Sequence, residues 1–284
     1  MLTLGCQVSS AGKIYEAVDR AVALGCSTMQ IFARNPRQWR KVSLGEEDVK
    51  IFKEKVKNAQ ISPVAIHIPY TLNLAAAKES FHKITIRDFI EDLLEADRLG
   101  ADYLVTHMGS YKGTTQAKGL SKIAKALKKI LKSAGSIKTK ILLENTSGSG
   151  NWLGYVFSHQ KFVLESIDWH ENVGLCLDTA HTWAAGYKIN EADGLNRLLD
   201  EINQEAGMTR LKLIHLNDTR EKLNSLKDRH CDIGAGNIGK DGFRLILQHP
   251  QLKNIPFILE TPKESEEDDM RNLKMVRELY DGKI

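Results

Sequence analysis

Short runs rich in Val, Ile and Leu alternate with longer amphipathic stretches from one end of this chain to the other. The apolar runs begin near Leu2, Thr28, Pro63, Tyr103, Lys140, Val173, Leu211 and Pro256. Each is brief and nearly continuous, as a parallel strand covered on both faces should be. Between them, KIYEAVDRAVALG, EEDVKIFKEKVKNA, RDFIEDLLEADRLG and EADGLNRLLDEINQEAG repeat their apolar residues at helical spacing. Three of these stretches run into Gly25, Gly100 and Gly207, residues that stop a helix. Eight such units in 284 residues leave about 35 residues each, the length of a βα repeat. The pattern predicts an α/β fold, a (βα)8 TIM barrel, as a single domain over residues 1–284. The alternative, an open doubly wound sheet, rarely holds eight parallel strands with polar groups at so many of their C-terminal ends.

Composition narrows this little. Apolar residues at 42% and charged residues at 27% are ordinary for a globular domain, and no linker-like segment divides the chain. No apolar run is long enough for a membrane span, so no membrane association is expected. The opening MLTLGCQVSSAGK lacks the basic start and long apolar stretch of a signal peptide and reads as a strand of the fold. Cys6, Cys26, Cys176 and Cys231 form no CxxC pair. That usage suits a reducing, cytoplasmic setting. A monomer is expected. The net charge of +4 permits a nucleic-acid partner without requiring one. Lys118, Lys122, Lys125, Lys129 and Lys132 recur at helical spacing, with Leu120, Ile123, Leu127 and Ile130 on another face. They read as the solvated side of an outer helix.

Candidate chemistry sits where the apolar runs end. His67, His107, Glu144, Asp178, His215 and Glu260 close the third to eighth runs, at steps of 40, 37, 34, 37 and 45 residues. A (βα)8 barrel brings successive strand ends to one rim and keeps its chemistry there. His181 follows Asp178 by three residues, and Asp228 and His230 form a D-x-H pair after the seventh run. In an extended segment, residues i and i+2 point the same way, so both can grip one ion. Catalytic zinc usually takes three protein donors from His and carboxylate, so nine donors suggest three ions with a carboxylate bridging. Four carboxylates make the rim repel an anion. Two divalent ions only neutralise it, whereas three leave a positive surplus able to hold a phosphodiester. Phosphate-ester hydrolysis is among the slowest uncatalysed reactions, and clustered metals suit it. His82, His159, His170 and His249 lie in helical or loop stretches and read as structural. Cys231, next to His230, is a conceivable donor that the set does not need. Gly234-Ala-Gly236-Asn-Ile-Gly239 matches GxGxxG but follows the D-x-H loop instead of a strand. It reads as a tight turn opening a helix whose N-terminus could face a phosphate. TSGSGNWLG after Glu144 reads as a flexible rim loop.

At these residues the chain resembles the endonuclease IV family of zinc-dependent apurinic/apyrimidinic endonucleases. The carrying motifs are DYLVTHMG at 102–109, LLENTSGSG at 142–150, GLCLDTAHTWAAGY at 174–187, HLNDT at 215–219, DRHCDIGAGNIG at 228–239 and LETP at 259–262. The match spans the whole chain. The resemblance implies three Zn2+ per chain: His67 and His107 at the first, Asp178, His215 and Glu260 at the second, Glu144 bridging both, and His181, Asp228 and His230 at the third. It implies double-stranded DNA containing abasic sites as substrate, cut on the 5′ side to leave a 3′-hydroxyl and a 5′-deoxyribose phosphate. It also implies removal of 3′-blocking groups. Glu144 and Glu260 would be catalytic, Glu260 orienting the nucleophile. Arg37, in ARNPRQW, and Tyr70, in HIPYTLNL, map to the side chains this family inserts into DNA, and Arg229, between Asp228 and His230, is a further candidate phosphate contact. Thr71 departs from the apolar residue common after that tyrosine. A metal-dependent sugar isomerase or epimerase of the same barrel class is the alternative, but it typically needs one or two ions. A non-catalytic damage-binding protein would not need Glu144 and Glu260.

Overall fold

The computed structural model describes residues 2–32 and 44–283. Eight strands, β1 (Leu4–Cys6), β2 (Met29–Phe32), β3 (Val64–His67), β4 (Tyr103–His107), β5 (Lys140–Glu144), β6 (Val173–Asp178), β7 (Leu211–His215) and β8 (Phe257–Leu259), form one parallel sheet. Their order is β1-β8-β7-β6-β5-β4-β3-β2. Gln7 and Gln30 form a parallel bridge, and Val8 N donates to Gln30 O at 2.8 Å, which brings β1 against β2 and closes the barrel. The expected TIM barrel is therefore the fold. The strands begin within two residues of where the apolar pattern places them. Pro63 and Pro256 lie just outside, since proline has no N–H to give the ladder.

Helices alternate with the strands: α1 (Glu16–Ala23), α2 (Glu46–Asn58), α3 (Glu79–Leu99), α4 (Gln116–Ala134), α5 (Phe157–Ser166), α6 (Thr179–Ala184), α7 (Ala192–Glu205), α8 (Gly239–Gln248) and α9 (Glu266–Tyr280). Gly100 ends α3 with φ 75°, a left-handed conformation that costs glycine nothing. On α4, Ile123, Leu127 and Ile130 are fully buried, while Lys118, Lys125, Lys129 and Lys132 face solvent. Lys122 pairs with Glu79 of α3 at 3.1 Å. Among the described residues, no helix is long and apolar enough to cross a membrane.

The barrel interior explains the site. Ala65, Val105, Leu142, Cys176, Leu213 and Ile258 form an enclosed cluster inside the sheet. Side chains along a strand return to the same face every second residue. The next inward positions are therefore His67, His107, Glu144, Asp178, His215 and Glu260. Six polar groups thus sit one step above an apolar plug, at the C-terminal mouth of the barrel.

Candidate metal centre

Glu144 lies at the middle of the polar layer, with no solvent exposure. Its Oε2 is 2.9 Å from His67 Nε2 and 3.2 Å from His107 Nε2. Its Oε1 is 3.0 Å from His215 Nδ1 and 3.5 Å from His181 Nδ1. His215 Nδ1 also lies 3.2 Å from Glu260 Oε2. Three groups of donor atoms come close enough to hold one ion each: His67, His107 and Glu144; Glu144, Asp178, His215 and Glu260; and Asp178, His181 and His230. Asp228 stands at the third group, its Oδ1 3.1 Å from His181 Nε2 and 3.5 Å from His230 Nε2. All nine predicted donors are thus in one cluster, with Glu144 and Asp178 each shared by two groups.

Local structure aims these side chains. Asp178 is the N-cap of α6, its Oδ1 accepting from His181 N at 2.7 Å. The cap starts the helix and sets His181 in its first turn. Asp178 Oδ2 accepts from Asn217 Nδ2 at 2.6 Å, and Asn217 Oδ1 accepts from Glu260 N at 2.8 Å. Asn145 accepts from Asp178 N through Oδ1 and donates to Asp178 O and Thr182 Oγ1 through Nδ2. Three of the histidines are oriented by backbone carbonyls, which only accept. His67 Nδ1 donates to Ile68 O at 2.7 Å, His181 Nδ1 to Asn145 O at 3.0 Å, and His230 Nδ1 to Glu260 O at 3.1 Å. Each ring therefore keeps the lone pair of Nε2 for the centre.

Electrostatics fits a cation. Burial opposes the charge on His181, but Asp178, Asp228 and Glu144 outweigh it and raise the imidazole to about 10. Burial also opposes charge on His67, and Glu144 again wins and raises it. Burial pushes the Glu144 carboxyl up, yet His107 and His215 hold it well below the ordinary carboxylate range. Asp228 is brought to about 2 by His181 and His230 against its own desolvation. Protons and divalent cations would compete for these same lone pairs. His230 Nε2 is buried without a hydrogen-bond partner. Its nearest carboxylate oxygens are 3.5 Å away on Asp228 and 3.7 Å away on Asp178. A buried ring nitrogen left unpaired is costly, and a cation between these groups would satisfy it.

Beside the donors lies a cavity of about 290 Å³, lined by Tyr70, His107, Thr146, Ser147, Ser149, Trp152, His181 and Asp228. Tyr70 is 60% exposed and rests edge-on against Phe32, ring centroids 5.6 Å apart. The neighbouring Thr71 hydroxyl is buried without a partner, a place where an apolar side chain would be cheaper. Arg229 is exposed and reaches Glu221 at 3.4 Å. Arg37 lies outside the described residues.

One loop expectation needs correction. The segment after Glu144 is tied down: Leu153 N donates to Gly109 O, Tyr111 N to Asn151 O, and Thr146 Oγ1 to Leu153 O. It is an ordered wall of the cavity, because its backbone pairs with the β4 loop. The glycine-rich loop turns tightly and opens α8 at Gly239, as expected. Gly234 N, Gly236 N and Ile238 N donate to the carboxylate of Asp218, at 3.0, 2.9 and 3.1 Å. An internal anion fills that nest. A Cβ on Gly236 would stand 2.4 Å from Asp218 Oδ1. Cys231 belongs to none of the three donor groups. Sequence reasoning missed Gln30, Asn145, Asn217 and Trp152. The two asparagines could have been noticed, since each lies one or two residues beyond a candidate donor. Gln30 carries no such signal.

Comparison with known proteins agrees with the fold. A family model described as "Xylose isomerase-like TIM barrel" matches residues 18–279. "Probable endonuclease 4" of Methanoculleus marisnigri is 39% identical over 279 residues, covering 98% of this chain and 99% of its own. The crystal structure of endonuclease IV from Thermus thermophilus has a TM-score of 0.88 and 33% identity, with 99% of each chain covered. A D-tagatose 3-epimerase-like protein has a TM-score of 0.69 at 20% identity, covering 98% of this chain and 99% of its own, a likeness of fold alone.

Proposed function

We propose that this chain, which belongs to the endonuclease IV family of xylose isomerase-like TIM barrels, hydrolyses the phosphodiester on the 5′ side of an abasic site in duplex DNA. The observation that carries the reading is three groups of donor atoms sharing Glu144 and Asp178 at one barrel mouth. Three Zn2+ suit a set rich in imidazole and carboxylate. His67 and His107 would hold one ion with Glu144. Asp178, His215 and Glu260 would hold a second, again with Glu144. His181, His230 and Asp228 would hold the third.

Bound divalent cations supply Lewis acidity, making water acidic and drawing charge from phosphoryl oxygens. Around them the protein side chains set direction. Glu260, held through Oε1 by Gln30, is placed to orient the attacking water. Water adds to phosphorus and gives up a proton to solvent, the bond from phosphorus to the 3′-oxygen breaks, and that oxygen leaves beside His181, Asp228 and His230 and takes a proton from solvent. The products carry a 3′-hydroxyl and a 5′-deoxyribose phosphate. Removal of 3′-blocking groups would use the same bond cleavage. Tyr70 and Arg37 would enter the duplex at the gap left by the missing base, and Arg229 would meet a phosphate. An abasic sugar lacks stacking, so turning it into the cavity costs less than extruding an intact nucleotide.

Zinc-loaded protein should nick a duplex bearing one abasic site and leave an undamaged duplex intact. Glu260→Gln should abolish nicking while retaining most DNA binding. Loaded protein that leaves the abasic strand whole would sink the reading. A sugar epimerase would instead exchange substrate protons with solvent and ignore DNA, and three donor groups exceed what it needs.

A further inference from the structure

Gln30 is fully buried on β2, a strand that supplies none of the nine candidate donors, yet its carboxamide touches two of them. Its Nε2 donates to Glu260 Oε1 at 2.6 Å and to Gln7 Oε1 at 2.8 Å. Its Oε1 lies 2.9 Å from His215 Nε2. An ionised carboxylate only accepts, so the amide nitrogen must face Glu260 and the amide oxygen must face His215. That oxygen also only accepts, so His215 carries its proton on Nε2. The lone pair is left on Nδ1, 3.0 Å from Glu144 Oε1 and 3.2 Å from Glu260 Oε2. The amide has two N–H donors and both are used. Gln7 takes the second, and its bridge to Gln30 closes the barrel between β1 and β2. The carboxamide cannot turn over without putting its oxygen against the Glu260 carboxylate.

We propose that Gln30 is a positioning residue that presents His215 Nδ1 and Glu260 Oε2 to one divalent cation, and that its neutrality preserves the positive surplus of the loaded centre. This rests on the metal-centre reading above. Metal-binding histidines commonly donate their second N–H to a carboxylate, a carbonyl or water. A carboxamide does this without adding negative charge. It also holds the neighbouring carboxylate, which a second carboxylate could not do unless the two shared a proton. One neutral side chain from β2 thus orders donors on β7 and just past β8.

The test compares full-length wild type with Gln30→Leu and Gln30→Glu. Each is loaded with zinc alone, challenged with chelators of graded affinity, and separately loaded with cobalt for its visible absorption. Thermal unfolding of the zinc-free proteins controls for folding. Gln30→Leu should release one ion about 10- to 100-fold more readily than wild type, with the other ions unaffected and the cobalt spectrum altered. Gln30→Glu still accepts from His215 but no longer donates to Glu260, so it should release that ion less readily than Gln30→Leu, and it should bind inorganic phosphate more weakly than wild type. Unchanged zinc retention and cobalt spectrum in Gln30→Leu would overturn the positioning role. Unchanged phosphate affinity in Gln30→Glu would overturn the charge role, including where the leucine variant fails to fold. Wild type that takes up no zinc would end the metal-centre reading and this proposal together. Zinc released most readily by Gln30→Leu, with phosphate bound more weakly by Gln30→Glu, would support both.

Discussion

Four imidazoles of the centre owe their usable nitrogen to what their other nitrogen touches. For His67, His181 and His230 the partner is a backbone carbonyl, which no substitution can remove directly. For His215 it is Gln30, and for the carboxylate of Asp178 it is Asn217. Asn217 is fully buried and joins Asp178 to the backbone of Glu260. Asn217→Ala should leave a buried carboxylate oxygen and an N–H without partners. A bond to a charged group is worth about 1.5–3 kcal/mol, so stability should fall by at least that much. Urea unfolding in excess chelator measures it, and a loss under about 1 kcal/mol would contradict the role given to Asn217. His230→Ala removes the one candidate donor with an unpaired buried nitrogen. Zinc bound per chain should fall by one ion with the fold intact, as read by metal analysis and circular dichroism.

At the scale of elements, the strands work as two-step rulers. Each of six carries an apolar interior residue and then, two positions on, a polar one at the mouth. That relation is visible in the sequence because both the strand period and the ends of the apolar runs are local signals. Helix α6 is local too, since Asp178 caps the helix that carries His181. The loop from Leu216 to Ile238 is different. Its glycines read as a tight turn, and the structure puts the carboxylate of Asp218 inside that turn. The sequence cannot say which anion fills a nest, because Asp218 and Gly236 are 18 residues apart and meet only by folding. Asp218→Ala should strip this loop of its organising acceptor. Since Asp228 and His230 ride on the same loop, zinc retention at the third group should weaken about as much as in His230→Ala. Chelator competition decides it, and full retention would show that the loop holds its shape without Asp218.

For the whole molecule, acid and metal act on one set of lone pairs. His181, raised to about 10, is protonated at neutral pH when no metal is bound. A raised value in the folded state stabilises fully below the unfolded value of 6.5 and is lost as pH climbs through about 10. A bound cation gains in the opposite direction, because it must displace those protons. The melting temperature of zinc-loaded protein should therefore exceed that of chelator-treated protein by a margin that widens from pH 6 to pH 9. A margin that is constant or shrinks would mean the imidazoles do not hold the metal. Zinc uptake at pH 7 should also release protons, measurable by calorimetry in buffers of different ionisation enthalpy.

The sequence by itself determined the eight βα units, the barrel they imply and the strand-end positions of His67, His107, Glu144, Asp178, His215 and Glu260. Those features follow from periodicity and spacing, which local chemistry writes along the chain. Only the tertiary structure decided which donors share an oxygen of Glu144, which nitrogen His215 offers, and that Gln30, Asn145 and Asn217 stand behind them. These depend on contacts between strands as far apart as Gln30 and Glu260, 230 residues along the chain. Barrel closure creates that neighbourhood, and no local pattern records it.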